Sequence, residues 1–119
     1  MTENDYKKDW GLEISWCNEK DYGGKVLIFD KPGAKTDFYF HKEISKSWFV
    51  NSGKFMIRWI DTKDGKVYQA ELSEGSVHKV DTLLPVSLEC ISSGTISEVS
   101  NGSDKDDIYI VIPAANIGV

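Results

Sequence analysis

Between Thr36 and Lys54 the chain reads TDFYFHKEISKSWFVNSGK, and this stretch gathers the side chains best able to do chemistry. Tyr39 offers a phenol, His41 an imidazole that titrates near neutrality, Lys46 an ammonium, and Trp48 a flat aromatic wall. Successive side chains on a strand point to opposite faces. Tyr39 and His41 therefore share one face, and Lys46, Trp48 and Val50 share a face of the following strand. If the two strands line one cavity, it holds a phenol, an imidazole and an ammonium against aromatic walls.

Each candidate has a functional and a bland reading, and the sequence leaves both open. His41 serves as a general acid or base, or it is a core histidine bonded to a neighbour such as Tyr39. Lys46 binds an anion, or it is exposed. Facing inward it needs a carboxylate, because a buried unpaired ammonium is costly, and Glu13, Glu43 and Glu98 are the candidates. His78 shares a face with Val80 and enters a barrel interior with it, where it could meet His41, or it lies on the surface. Trp48 and Trp59 stack on a sugar ring, or they pack the core. Asp104 to Asp107 reads as a solvated loop. The sequence has no G-x-S-x-G elbow for a serine nucleophile, and no glycine-rich phosphate loop ahead of a helix.

The elements that must carry these residues read as β almost throughout. Ten short apolar or alternating runs stand between turn residues: 12–17, 25–30, 36–41, 48–51, 54–61, 67–72, 76–80, 86–91, 95–99 and 108–112. Lys31-Pro32-Gly33, Asp64-Gly65 and Glu74-Gly75 are turn signals, Asn51-Ser52-Gly53 reads as a hairpin-type link, and Ser93-Gly94 separates the two runs around it. No helical period is convincing. Short strands at this spacing predict an all-β, single antiparallel double-sheet barrel. The expected barrel domain is 9–112, with tails at 1–8 and 113–119.

At 119 residues, with 40% hydrophobic and 12% aromatic content, the chain suits one packed domain. Net charge is −5 and the 14 Lys and Arg are scattered, which argues against a nucleic-acid partner. No apolar run approaches the length of a membrane helix, so no membrane partner is expected. The opening residues lack the apolar core of a signal peptide. Cys17 and Cys90 are the two cysteines, with no C-x-x-C pair. A cytoplasmic protein with two reduced thiols is the simple expectation.

The order of these segments resembles the cupin superfamily, in particular small stand-alone cupins related to mannose-6-phosphate isomerase. Trp10-Gly11-Leu12-Glu13 resembles a W-G-x-E opening, and Tyr22-Gly23-Gly24-Lys25 a Y-x-G-K segment. Tyr39 to Lys54 resembles a first signature, H-x-H-x-x-x-x-E-x-x-x-V-x-S-G-K, and Gly75 to Val80 a second. The resemblance implies a jelly-roll barrel, a homodimer, and a barrel-mouth pocket for a sugar or sugar phosphate. It also implies a metal on two His and a Glu of the first signature and a His of the second. Here those positions hold Tyr39, His41, Lys46 and Val86, so no metal or other cofactor is expected. One implied function is a metal-independent isomerase or epimerase. In it His41 would move a proton beside a carbonyl, Tyr39 would donate to the oxygen, and Lys46 would stabilise the developing charge. Trp48, Trp59 and His78 would help to bind the ligand. The alternative is a non-catalytic cupin, either a ligand binder or a structural or regulatory module.

Overall fold

The computed structural model describes residues 6–103 and 105–117. Residues 1–5 and 118–119 of the expected tails, and Asp104 of the expected solvated loop, lie outside the described residues. Among the described residues nine strands run in order: β1 (Lys7–Lys8), β2 (Gly11–Asn18), β3 (Gly23–Phe29), β4 (Phe38–Phe40), β5 (Lys46–Ile60), β6 (Val67–Ser73), β7 (Val77–Val80), β8 (Val86–Ser100) and β9 (Tyr109–Ile112). A 3-10 turn, Ala114–Asn116, follows them. All strand pairs are antiparallel. The predicted double-sheet barrel is what forms, as one sheet curled on itself.

The curl depends on β5 and β8, each 15 residues long. They pair with each other along most of their length. The first part of β5 takes β7 as its other neighbour, and its last part takes β6. The last part of β8 takes β3, while Val86 at its start pairs with Tyr39 of β4. Two layers therefore share two continuous strands. Inward side chains of both layers meet in one apolar core that includes Leu27, Phe29, Trp48, Val50, Phe55, Ile57, Leu88 and Ile96.

The sequence reading expected two strands on either side of Asn51-Ser52-Gly53, and two more on either side of Ser93-Gly94. The structure corrects both expectations: each pair is one bent strand. The turn residues act as a bulge instead. Register shifts between Val50 and Phe55 move the inward set from Lys46, Trp48 and Val50 to Phe55 and Ile57, so both parts of β5 keep an apolar face on the core. Gly53 sits at φ +85°, a left-handed conformation that glycine adopts without a Cβ clash. Opposite it, Gly94 lets the two backbones approach closely. A Cβ on Gly94 would lie 2.0 Å from the Ser52 carbonyl oxygen.

Two polar clamps fix β4 and the start of β5, which carry the candidate residues. The Thr36 amide donates to the Leu88 carbonyl, its hydroxyl accepts from the Leu88 amide, and the Ser87 hydroxyl donates to the Thr36 carbonyl. These bonds hold the approach to β4 on β8. The Asp107 carboxylate accepts from the amides of Lys42, Glu43 and Ile44, which sets the link from β4 into β5. Desolvation pushes the Asp107 carboxyl up, but the three amide bonds and nearby His41 outweigh it and leave it below its ordinary value.

The close approach at Gly94 yields a direct test. Gly94→Ala must push apart backbone atoms that cannot swing away, and overpacking of this kind costs about 1–3 kcal/mol. Urea unfolding is expected to show that loss of stability. An unchanged midpoint would mean that β5 and β8 do not cross this closely.

Candidate functional site

The chemistry of this barrel gathers around a buried lysine. Lys46 opens β5 with its side chain turned inward and only 2% exposed. Its ammonium lies 3.3 Å from the carboxylate of Glu98 on β8, itself 5% exposed. It also donates to the Tyr39 hydroxyl at 2.7 Å. The indole Nε1 of Trp48 donates to the same Glu98 oxygen at 2.8 Å. Aromatic faces complete the surroundings, with the ammonium 4.6 Å from the Tyr39 ring centroid and 5.0 Å from that of Trp48. Of the three carboxylates the sequence offered as partners, Glu98 is the one paired with Lys46, because β8 lies beside β5 and Glu98 is in register with Trp48.

Tyr39 keeps its proton. Burial pushes the phenol above its ordinary value near 10, although the Lys46 ammonium pulls the other way. Lys46 donates to the phenol oxygen, so the phenol's own hydrogen remains a donor. The group is thus a neutral donor and acceptor fixed beside a cation.

A cavity of about 230 Å³ opens above this cluster. Its polar floor is Tyr39, Lys46 and Glu98, and its apolar walls include Trp10, Leu27, Ile108 and Ile110. Lys8, Glu13, Thr36 and Asp37 add further polar groups. The walls come from the two margins of the curled sheet, β1 and β2 on one side and the β9 region on the other. Trp10 is held by stacking on Phe29 at 4.5 Å between centroids. The sequence did not mark Trp10, Asp37, Ile108 or Ile110 as site residues. Only the pairing of distant strands brings them together.

The other candidates sit elsewhere. His41 shares a face with Tyr39 as strand alternation requires, with ring centroids 5.5 Å apart in an edge contact. It is 2% exposed, and its Nδ1 bonds the Asp107 carbonyl oxygen. A carbonyl oxygen only accepts, so Nδ1 carries a proton. His41 is not among the residues that line the cavity. Trp48 is fully buried and meets the site only through Glu98 and Lys46. His78 lies between two indoles, 6.3 Å from Trp48 and 6.1 Å from Trp59, and does not line this cavity. Burial lowers its pKa below the ordinary 6.5. Trp59 stacks on Tyr68 at 6.0 Å. Cys17 and Cys90 are free thiols, and burial raises that of Cys90.

Among the described residues no three His, Cys, Asp or Glu side chains come together as a metal-binding group. Also among them, no helix is long and apolar enough to cross a membrane.

The ion pair makes a stability prediction. Removing one partner of a buried pair leaves a charge uncompensated and costs about 3–5 kcal/mol, while removing both costs far less. Lys46→Met alone is therefore expected to destabilise strongly, and adding Glu98→Gln to recover much of the loss in a double-mutant cycle by urea unfolding. Additive effects would show that the two groups do not share a buried pair.

No protein-family model matches this sequence, and no curated protein matches it. Solved structures do. The capsular polysaccharide assembling protein CapF of Staphylococcus aureus is 19% identical, with a TM-score of 0.75 over 89% of this chain and 33% of that one. Bacillus subtilis oxalate decarboxylase OxdC, as its E162A mutant, is 15% identical, with a TM-score of 0.76 over 93% of this chain and 32% of that one. The oxalate decarboxylase of Lactobacillus farciminis, in its formate complex, gives 16%, 0.75, 93% and 35%. The chain thus spans about a third of the length of these proteins. At such low identity the likeness speaks to architecture alone, and the architecture of this chain is the cupin barrel.

Proposed function

We propose that this protein binds a small carbohydrate-type molecule in the cavity above Tyr39, Lys46 and Glu98, and that it does so without a metal. One observation carries the reading: a buried, aromatic-walled ion pair forms the floor of an open cavity. The residues at the positions where the cupin resemblance implies a metal do not suit a divalent ion. Such an ion needs three or four nitrogen or oxygen donors in fixed geometry. Val86 offers none, and Lys46 brings a cation already held by Glu98, so Tyr39 and His41 alone remain, too few for such a site.

The carbohydrate class rests on the mix of groups. Tyr39 and the lysines donate, the carboxylates accept, and Trp10 with two isoleucines supplies apolar surface for ring C–H faces. The likeness to a protein named for capsular polysaccharide assembly supports the same class. At about 230 Å³ the cavity is smaller than the roughly 300–1,000 Å³ of drug-sized pockets, which suits a ligand of about one ring. Binding is favoured over isomerisation, because a proton-moving base must reach the ligand and His41 does not line the cavity. The isomerase reading survives only if a ligand draws His41 into contact.

The test is calorimetric titration with a panel of monosaccharides, using Tyr39→Phe as the control variant. Losing one hydrogen bond costs about 0.5–1.5 kcal/mol, so Tyr39→Phe is expected to weaken binding roughly 2–10-fold. Elemental analysis of protein purified without chelator should find no stoichiometric transition metal. Unchanged affinity in Tyr39→Phe, or about one equivalent of metal ligated through His41, would overturn the reading.

A further inference from the structure

We infer that the ligand of this cavity is electrically neutral, a polyhydroxylated ring and not a phosphate ester or a sugar acid. The inference rests on the binding reading above and narrows it. It follows from how the charges around the cavity are spent. Lys8, Lys46, Glu13, Asp37 and Glu98 line the cavity, and Lys25 stands beside Glu13. Among these lining residues the carboxylates outnumber the cations, and each charged group already has a partner. Lys46 is paired with Glu98 at 3.3 Å. Lys25 and Lys8 lie 3.3 Å and 4.0 Å from Glu13. Asp37 accepts from the Ala114 amide at 2.7 Å.

The cation that most resembles an anion receptor is thus already neutralised, and it is neutralised out of water. A phosphate carries about −1.5 to −2 charges at neutral pH. To reach the Lys46 ammonium it must approach within a few ångströms of the Glu98 carboxylate, which is held there by Trp48 as well. Either the two anions repel in a poorly screened site, or Glu98 gives up its cation and stays buried without it. Both outcomes penalise an anionic ligand. A neutral polyol meets neither penalty. Its hydroxyls donate to the carboxylates and accept from Tyr39 and the lysines, which leaves the ion pair intact.

Two measurements test this. In the first, D-mannose, D-glucose and N-acetylglucosamine are titrated into the protein beside their 6-phosphates. At least one neutral sugar is expected to bind, with its phosphate at least about tenfold weaker. In the second, inorganic phosphate is added to wild type and to Glu98→Gln in a thermal-shift assay at constant ionic strength. The variant releases Lys46 from its partner, so phosphate is expected to raise its Tm and to leave wild type unmoved. Tighter binding of a sugar phosphate by wild type, weakened in Tyr39→Phe, would overturn the neutral-ligand inference while sparing the cavity as the binding site. Phosphate stabilising wild type and Glu98→Gln equally would overturn it as well. If none of the sugars binds in either form, the inference and the binding reading fall together.

Discussion

An ammonium enclosed by a small barrel has to be neutralised, and the pairing of Lys46 with Glu98 is the constraint around which the upper half of this molecule is arranged. The pair spans β5 and β8, the two strands common to both layers. Trp48 orients the carboxylate through its indole N–H, and Tyr39 takes a hydrogen bond from the ammonium. A residue on β4 and residues on the two longest strands are thereby locked into one polar cluster within an apolar core. The same cluster floors the cavity, so the feature that stabilises the site also sets what it accepts.

That arrangement changes the sense of the sequence motif. From the sequence, Tyr39, His41 and Lys46 read as a candidate proton-transfer group in which Lys46 would stabilise developing charge. In the fold they divide. Tyr39 and Lys46 face the cavity, while His41 is turned to the Asp107 carbonyl, in the same region where the Asp107 carboxylate caps the link into β5. His78 and Trp59 stack among the rings of Trp48 and Tyr68 and do not line the cavity. What remains at the cavity is a binding surface in which donors, acceptors and an aromatic wall are balanced.

Much of this was legible in the residues. Strand alternation placed Tyr39 with His41 and Lys46 with Trp48, because period-2 geometry is local. The requirement that an inward Lys46 have a carboxylate was also legible, and Glu98 was one of three candidates. Which one was not, because the choice depends on β5 and β8 being neighbours in register. Asn51-Ser52-Gly53 has the chemistry of a turn, but it is a bulge, because both flanking segments bury side chains against the same partner strand. Trp10 stood in the W-G-x-E resemblance and Ile108 and Ile110 in an expected strand, but nothing local marked them as site residues. They become walls only where the margins of the curled sheet face each other.

The most direct test of the central claim is a crystal structure of the protein soaked with a neutral monosaccharide. The expected result is a sugar ring in the cavity against Trp10, hydrogen-bonded to Tyr39, with the Lys46 ammonium still within ion-pair distance of Glu98. A metal ion held by Tyr39 and His41 with Lys46 displaced, or a ligand seated only when the Lys46–Glu98 pair is broken, would contradict it.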